Sequence, residues 1–145
     1  MFKHLLLPTD GSPRSEAAIQ KGIAVAKSIN ARVTGLHVIP GLPIVAYPTV
    51  MMEGTSQEHE AKFKAQAEQY LSVVEKTAGT AGVAFDCAYV TSGHPYAAII
   101  EAAEKKECDL IVMASHGRSG AKAVLLGSET HKVLVHSRIP VLVYR

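Results

Sequence analysis

Five short apolar runs recur along the chain, each separated from the next by a segment of helical periodicity, and this alternation constrains the fold more than any other feature. Leu5-Leu6-Leu7 is apolar without a break and is bounded by Pro8 and Asp10-Gly11, the pattern of a strand buried on both faces. Residues 33–39, 83–90, 110–114 and 140–144 are the other strand candidates. In the third, Phe85, Cys87 and Tyr89 alternate onto one face. Ser12-Pro13 starts a helix, because serine can cap and proline needs no amide hydrogen at the first helical position. Ala18, Gly22, Val25 and Ile29 follow at helical spacing, and Asn30 closes the segment. A second helix is expected over 56–78, with Phe63, Ala67, Tyr70 and Val74 on one face and Gly79 and Gly82 in the turn beyond. A third runs from Pro95 to near Lys106. A fourth runs over 129–136 with Ser128 as its cap. The order β-α-β-α-β-α-β-α-β predicts one α/β domain over residues 1–145: an open, mostly parallel five-stranded sheet with helices on both faces and right-handed crossovers.

A chain of 145 residues, 48% hydrophobic and 19% charged, can bury a core of its own. A formal net charge of +2, with no basic stripe, speaks against a nucleic-acid partner. Cys87 and Cys108 form no CxxC pair and read as reduced, buried thiols. The apolar run at the N-terminus is too short for a signal peptide, and no segment has the apolar length of a membrane helix. A cytoplasmic location without membrane association is the expectation. Residues 40–55 form a long, proline-rich and unusually apolar loop (Ile44, Val45, Tyr47, Val50, Met51, Met52). It should pack on the domain or a partner, or cover a ligand.

In an open parallel sheet, ligands lie beyond the carboxyl ends of the strands, where the strand order reverses. Two strand ends carry suitable chemistry. The first is Pro8-Thr9-Asp10-Gly11-Ser12, where the Asp10 carboxylate can accept from ribose hydroxyls or close a turn on its own backbone. The second is Ala114-Ser115-His116-Gly117-Arg118-Ser119-Gly120, where Gly117 and Gly120 permit a tight loop. Gly127-Ser128 then stands at a helix N-terminus, whose amides suit an anion. Arg118 and Lys122 add positive charge near the loop. His116 fits a loop hydrogen-bonder better than a general base. The chain has no GxxxxGK[ST], no GxGxxG after the first strand, no HExxH and no GxSxG. These absences exclude the P-loop reading and speak against the dinucleotide, zincin and serine-hydrolase ones.

Gly117, nine residues, then Gly127-Ser128, together with Pro8-Thr9-Asp10-Gly11-Ser12, His37-Val38 and the ending Pro140-Val141-Leu142-Val143, resemble the ATP-binding branch of the universal stress protein family over the whole chain. The resemblance implies a Rossmann-like, adenine nucleotide alpha hydrolase-like fold. It also implies a site for ATP, AMP or another adenine nucleotide. Pro8 and Thr9 would line the base pocket, the Val38 backbone would meet the adenine edge, and Asp10 would meet the ribose. Gly117, Arg118, Gly127 and Ser128 would hold the phosphates, with Mg2+ or Mn2+ as a companion. Ala114, His116, Gly120 and Glu129 belong to the same candidate site. Ala114 adds a methyl where the family has glycine. Glu129 complements the helix dipole but would repel a phosphate chain.

The sequence thus points to a nucleotide-binding regulatory module of the stress response with little or no turnover. The alternatives are a slow ATPase and a nucleotide-free dimeric scaffold. The apolar last strand, residues 141–144, predicts a homodimer paired through that edge, as the family resemblance also implies.

Overall fold

Pro8 governs how the sheet opens. In the computed structural model, which describes residues 1–41, 56–117 and 126–145, the strands are β1 (His4–Pro8), β2 (Arg32–Pro40), β3 (Phe85–Ser92), β4 (Leu110–Ala114) and β5 (Val141–Tyr144). They form one parallel sheet in the order β3-β2-β1-β4-β5. The helices are α1 (Pro13–Ser28), α2 (Ser56–Ala81), α3 (Pro95–Lys105) and α4 (Ser128–His136). β1 pairs with β2 as far as Pro8↔Leu36, but with β4 only through Leu5↔Leu110 and Leu6↔Ile111. Even-numbered β1 residues turn their backbone groups towards β4, and proline has no amide hydrogen to continue that ladder. The gap falls where the strand order reverses.

Each face of the sheet has its own core. Leu5, Leu7, Val33 and Val112 pack against Ile19, Ile23 and Ala26 of α1 and Val74 and Ala78 of α2. Leu6, Leu36, Ile111 and Met113 pack against Ile99 and Ala103 of α3 and Val133 of α4. The five-residue central strands β1 and β4 are buried throughout, as their unbroken apolar runs require. Gly22 on α1 allows close approach, since a Cβ there would stand 2.6 Å from Leu7 Cδ2.

Several local expectations shift. Ser12 caps α1 by accepting from Ser15 N–H, with Pro13 in the first turn, as expected. The buried face of α1 is Ser15, Ala18, Ile19, Gly22, Ile23 and Ala26, however, while Val25 and Ile29 pack at its margin. α2 runs through Gly79 to Ala81, and the turn glycine is Gly82, with φ +71°. Gly127, not Ser128, is the N-cap of α4; Ser128 is the first helical residue. Phe85 and Tyr89 share a face but stay 42% and 40% exposed, because β3 is an edge strand. The apolar loop expected over 40–55 lies, from residue 42 onward, outside the described residues. Cys87 and Cys108 are free, and burial pushes both thiols up to about 11. Among the described residues no helix is long and apolar enough to cross a membrane.

The opposite end of the sheet is tied by a polar relay. His4 Nε2 meets Thr34 Oγ1 at 2.7 Å, and Thr34 donates to Asp86 Oδ1 at 2.5 Å. Arg32 (3.1 Å) and Lys106 (2.7 Å) pair with the Asp86 carboxylate. Asp109 accepts from the Lys3 and His4 amides at 2.8 and 3.0 Å. Burial, aided by the Arg32 charge, holds the His4 ring below its ordinary value of 6.5; Asp86, the Lys106 backbone and Asp109 oppose that shift. The unfolded chain therefore binds more protons in this range, and stability falls as pH drops through 6.5 towards the lower folded value. His4→Phe should flatten the stability profile between pH 7 and pH 5, measured by urea denaturation at each pH. An unchanged slope would show that His4 does not govern it.

Candidate functional site

Beyond the tips of β1 and β4 the sheet opens into a cleft of about 480 Å³. Its first wall is the overhang of β2. Arg32 N–H bonds to Lys3 O, and Thr9 N–H bonds to Leu36 O, so even-numbered β2 residues address β1. Val33 N–H and Gly41 N–H bond to Ala84 O and Ser92 O, so odd-numbered ones address β3. Val38 is the next even residue after the last β1 pair. Its N–H and C=O therefore point past the end of β1, where no described strand receives them, and Val38 lines the cleft.

The β1 tip is a bonded turn. Asp10 Oδ1 accepts from Ser12 N–H at 3.0 Å, and Gly11 N–H donates to Thr9 Oγ1 at 3.1 Å. Thr9 and Ser15 hydroxyls meet at 3.1 Å. Gly11 has φ +77°, and a Cβ there would enter the Tyr70 ring. The two strand tips touch at Gly117, where a Cβ would collide with Asp10 Oδ2. Any other residue there would require the Asp10 carboxylate to move.

α4 delivers its N-terminus to the same cleft. The amides of Ser128, Glu129 and Thr130 lie in its first turn, where no intrahelical acceptor exists. Gly127 N–H is already used: it donates to Ser115 O at 2.6 Å. A Cβ on Gly127 would stand 3.0 Å from that same oxygen, so this glycine allows the helix to dock on the β4 tip. Thr130, 3% exposed, donates its hydroxyl to Ala114 O at 2.9 Å. The Glu129 carboxylate reaches α3, accepting from Tyr96 N–H at 2.9 Å, and pairs with Lys132 at 3.2 Å. It thus caps the neighbouring helix, whose own N-cap, His94, makes no side-chain cap bond.

Pro8, Thr9, Asp10, Val38, Ala114, His116, Gly117, Gly127, Ser128 and Glu129 all line this cleft; Arg118 and Gly120 lie outside the described residues. His116 is buried, with Nδ1 3.0 Å from the Ser115 hydroxyl. Sequence reasoning missed the wall supplied by Phe63, Gln66 and Tyr70 of α2, and the contribution of Thr130. It also passed over the side chain of His37. That ring donates Nδ1–H to Thr9 O at 2.8 Å and meets the Tyr70 ring edge-on at 5.1 Å. The apolar periodicity of α2 did mark Phe63 and Tyr70 as sharing a face. It did not say that the end of this face would reach the cleft.

The universal stress protein family model matches residues 1–145. The chain belongs to the universal stress protein family. It is 34% identical over 145 residues to a universal stress protein of Methanocaldococcus jannaschii, covering all of this chain and 83% of that one. A second universal stress protein of that organism is 32% identical over 157 residues, covering 100% and 96%. Its solved structure superposes with a TM-score of 0.82 at 31% identity, over 99% of this chain and 95% of that one. More distant universal stress proteins share the fold and were solved with nucleotides. One holds cAMP (TM-score 0.73, 22% identity, 99% and 97% covered). One from Archaeoglobus fulgidus holds dAMP (TM-score 0.64, 18% identity, 100% and 98% covered).

In this universal stress protein the α4 docking bond gives a direct test. Thr130→Val keeps the shape but leaves the Ala114 carbonyl without its hydroxyl partner. Stability should fall by about 1–3 kcal/mol, the cost of a buried unpaired carbonyl, as read by chemical denaturation.

Proposed function

We propose that this universal stress protein binds an adenine nucleotide in the cleft and acts as a ligand-dependent regulatory module rather than a fast enzyme. The observation that carries the reading is the Val38 backbone, whose N–H and C=O no described residue pairs. One residue offers an N–H donor and a C=O acceptor side by side, the complement of adenine N1 and its exocyclic amino group. A guanine or hypoxanthine edge reverses that pattern. Asp10 serves the ribose in this reading, since a carboxylate oxygen engaged by a turn amide retains acceptor capacity. The α4 amides and the Ser128 hydroxyl receive phosphate. The relatives solved with cAMP and dAMP support the choice of ligand class.

ATP is the ligand that the glycine motif implies, and AMP shares its base and ribose contacts. Among the described residues no three His, Cys, Asp or Glu side chains converge into a metal cage. Mg2+ or Mn2+ would therefore arrive with the nucleotide, held chiefly by phosphate oxygens. The same residues supply little acid–base chemistry, because Asp10 is committed to its turn and Glu129 to α3 and Lys132.

The test is calorimetry with AMP, ATP and GTP. Adenine nucleotides should bind and GTP should not. Asp10→Asn, which retains the acceptor for Ser12, should weaken adenine-nucleotide binding about tenfold, or about 1.4 kcal/mol. ATP hydrolysis should stay below about 1 s⁻¹. Equal affinity for ATP and GTP would refute the assignment of Val38.

The same module is proposed to be a homodimer through β5. Among the described residues this edge strand pairs only with β4, and its odd-numbered backbone groups, at Val141 and Val143, face outward. Leu142 (44% exposed) and, on α4, Leu134 (41%) and Val135 (61%) leave apolar surface on the elements at this edge. A two-fold axis would pair β5 with its own copy. Sedimentation should give a dimer at micromolar concentration, and Leu142→Lys or Val143→Lys should shift it towards monomer. A wild-type monomer would refute the interface.

A further inference from the structure

We infer that Glu129 sets how much phosphate charge the cleft tolerates, disfavouring an extended di- or triphosphate chain relative to a single phosphate. The inference rests on the adenine-nucleotide reading above and concerns the same site.

The donors that α4 brings to the cleft are limited. Gly127 N–H is spent on Ser115 O, and the Thr130 hydroxyl is spent on Ala114 O. What remains at the helix is the first-turn amides of Ser128, Glu129 and Thr130 and the Ser128 hydroxyl, a set suited to the oxygens of one phosphate. The Glu129 carboxylate lines the cleft one residue beyond Ser128. It is held there from two sides, by the Tyr96 amide of α3 and by Lys132 one turn along α4. Both bonds fix its direction and so keep its negative charge beside the anion site. The first phosphate gains three amide donors against one carboxylate. Each further phosphate adds negative charge beside Glu129 without adding a donor from this helix. Lys132 offsets part of the effect, but its side chain is 47% exposed and solvent weakens its field.

Glu129→Gln tests the charge alone, because the amide oxygen can still accept from Tyr96 N–H. Calorimetry at one fixed ionic strength, without added divalent metal, would measure adenosine, AMP, ADP and ATP against both proteins. The substitution should leave adenosine unchanged, tighten AMP slightly and tighten ATP by about threefold or more, the range of a partly exposed charge. Lys132→Met should act oppositely, widening the preference of the otherwise unaltered chain for AMP over ATP. The same change for all four ligands would assign Glu129 a purely structural part in joining α3 to α4 and overturn the inference. No change for any ligand would overturn it as well. Both results would leave nucleotide binding intact. Failure of all four ligands to bind either protein would instead remove the adenine-nucleotide reading, and this inference with it.

Discussion

The missing amide hydrogen of Pro8 is the constraint on which the rest of the molecule depends. With an ordinary residue at this position the ladder to β4 could run up to two residues further and narrow the crevice that the reversal of strand order opens. Proline stops that pairing at Leu6↔Ile111, while β2 continues to Pro40. The result is a crevice whose walls are backbone. Val38 presents its peptide groups on one side, and Gly117 and the start of α4 stand on the other. Helix α4 is docked across the gap by Gly127 N–H and the Thr130 hydroxyl, each satisfied by a carbonyl at or next to the β4 tip. These bonds are internal to the protein, so the first turn of α4 is positioned by the fold, and a ligand need not organise it.

Steric permission comes from two glycines with distinct tasks. Gly117 lets the β4 loop lie against the Asp10 carboxylate, and Gly127 lets α4 approach the Ser115 carbonyl. The spacing of Gly117 and Gly127 therefore answers a packing requirement of the fold. Alanine in place of the earlier motif glycine is compatible with this arrangement. Ala114 sits in regular strand structure, and its carbonyl is the acceptor for Thr130.

The fold was legible in the sequence because its signals are local. Unbroken apolar triplets and quintets announced β1 and β4, Ser12-Pro13 announced α1, and the alternation announced a parallel sheet. Ten of the twelve candidate site residues line one cleft, since strand tips before helices have a known place in such sheets. The misses share a cause, which is pairing between residues distant in the chain. The acceptor role of Glu129 towards Tyr96, 33 residues away, is a second task that its place after Ser128 did not announce. Ser128 looked like a cap because caps are read from residue type, whereas the docking bond of Gly127 decided where α4 begins. Phe85 and Tyr89 alternate as buried residues do. Only the strand order reveals that β3 is an edge, with less cover on that face.

The relay of His4, Thr34 and Asp86 with its two cations stands at the amino ends of the strands, at the far end of the sheet from the cleft. Its charges and those at the mouth of the cleft are separated by the apolar middle of β1 and β2. The two ends can consequently drift apart in evolution. Substitutions that retune tolerance to acid can accumulate around His4 without disturbing the cleft at Val38 and α4. A chain built this way can be moved between cellular climates while keeping the same cleft.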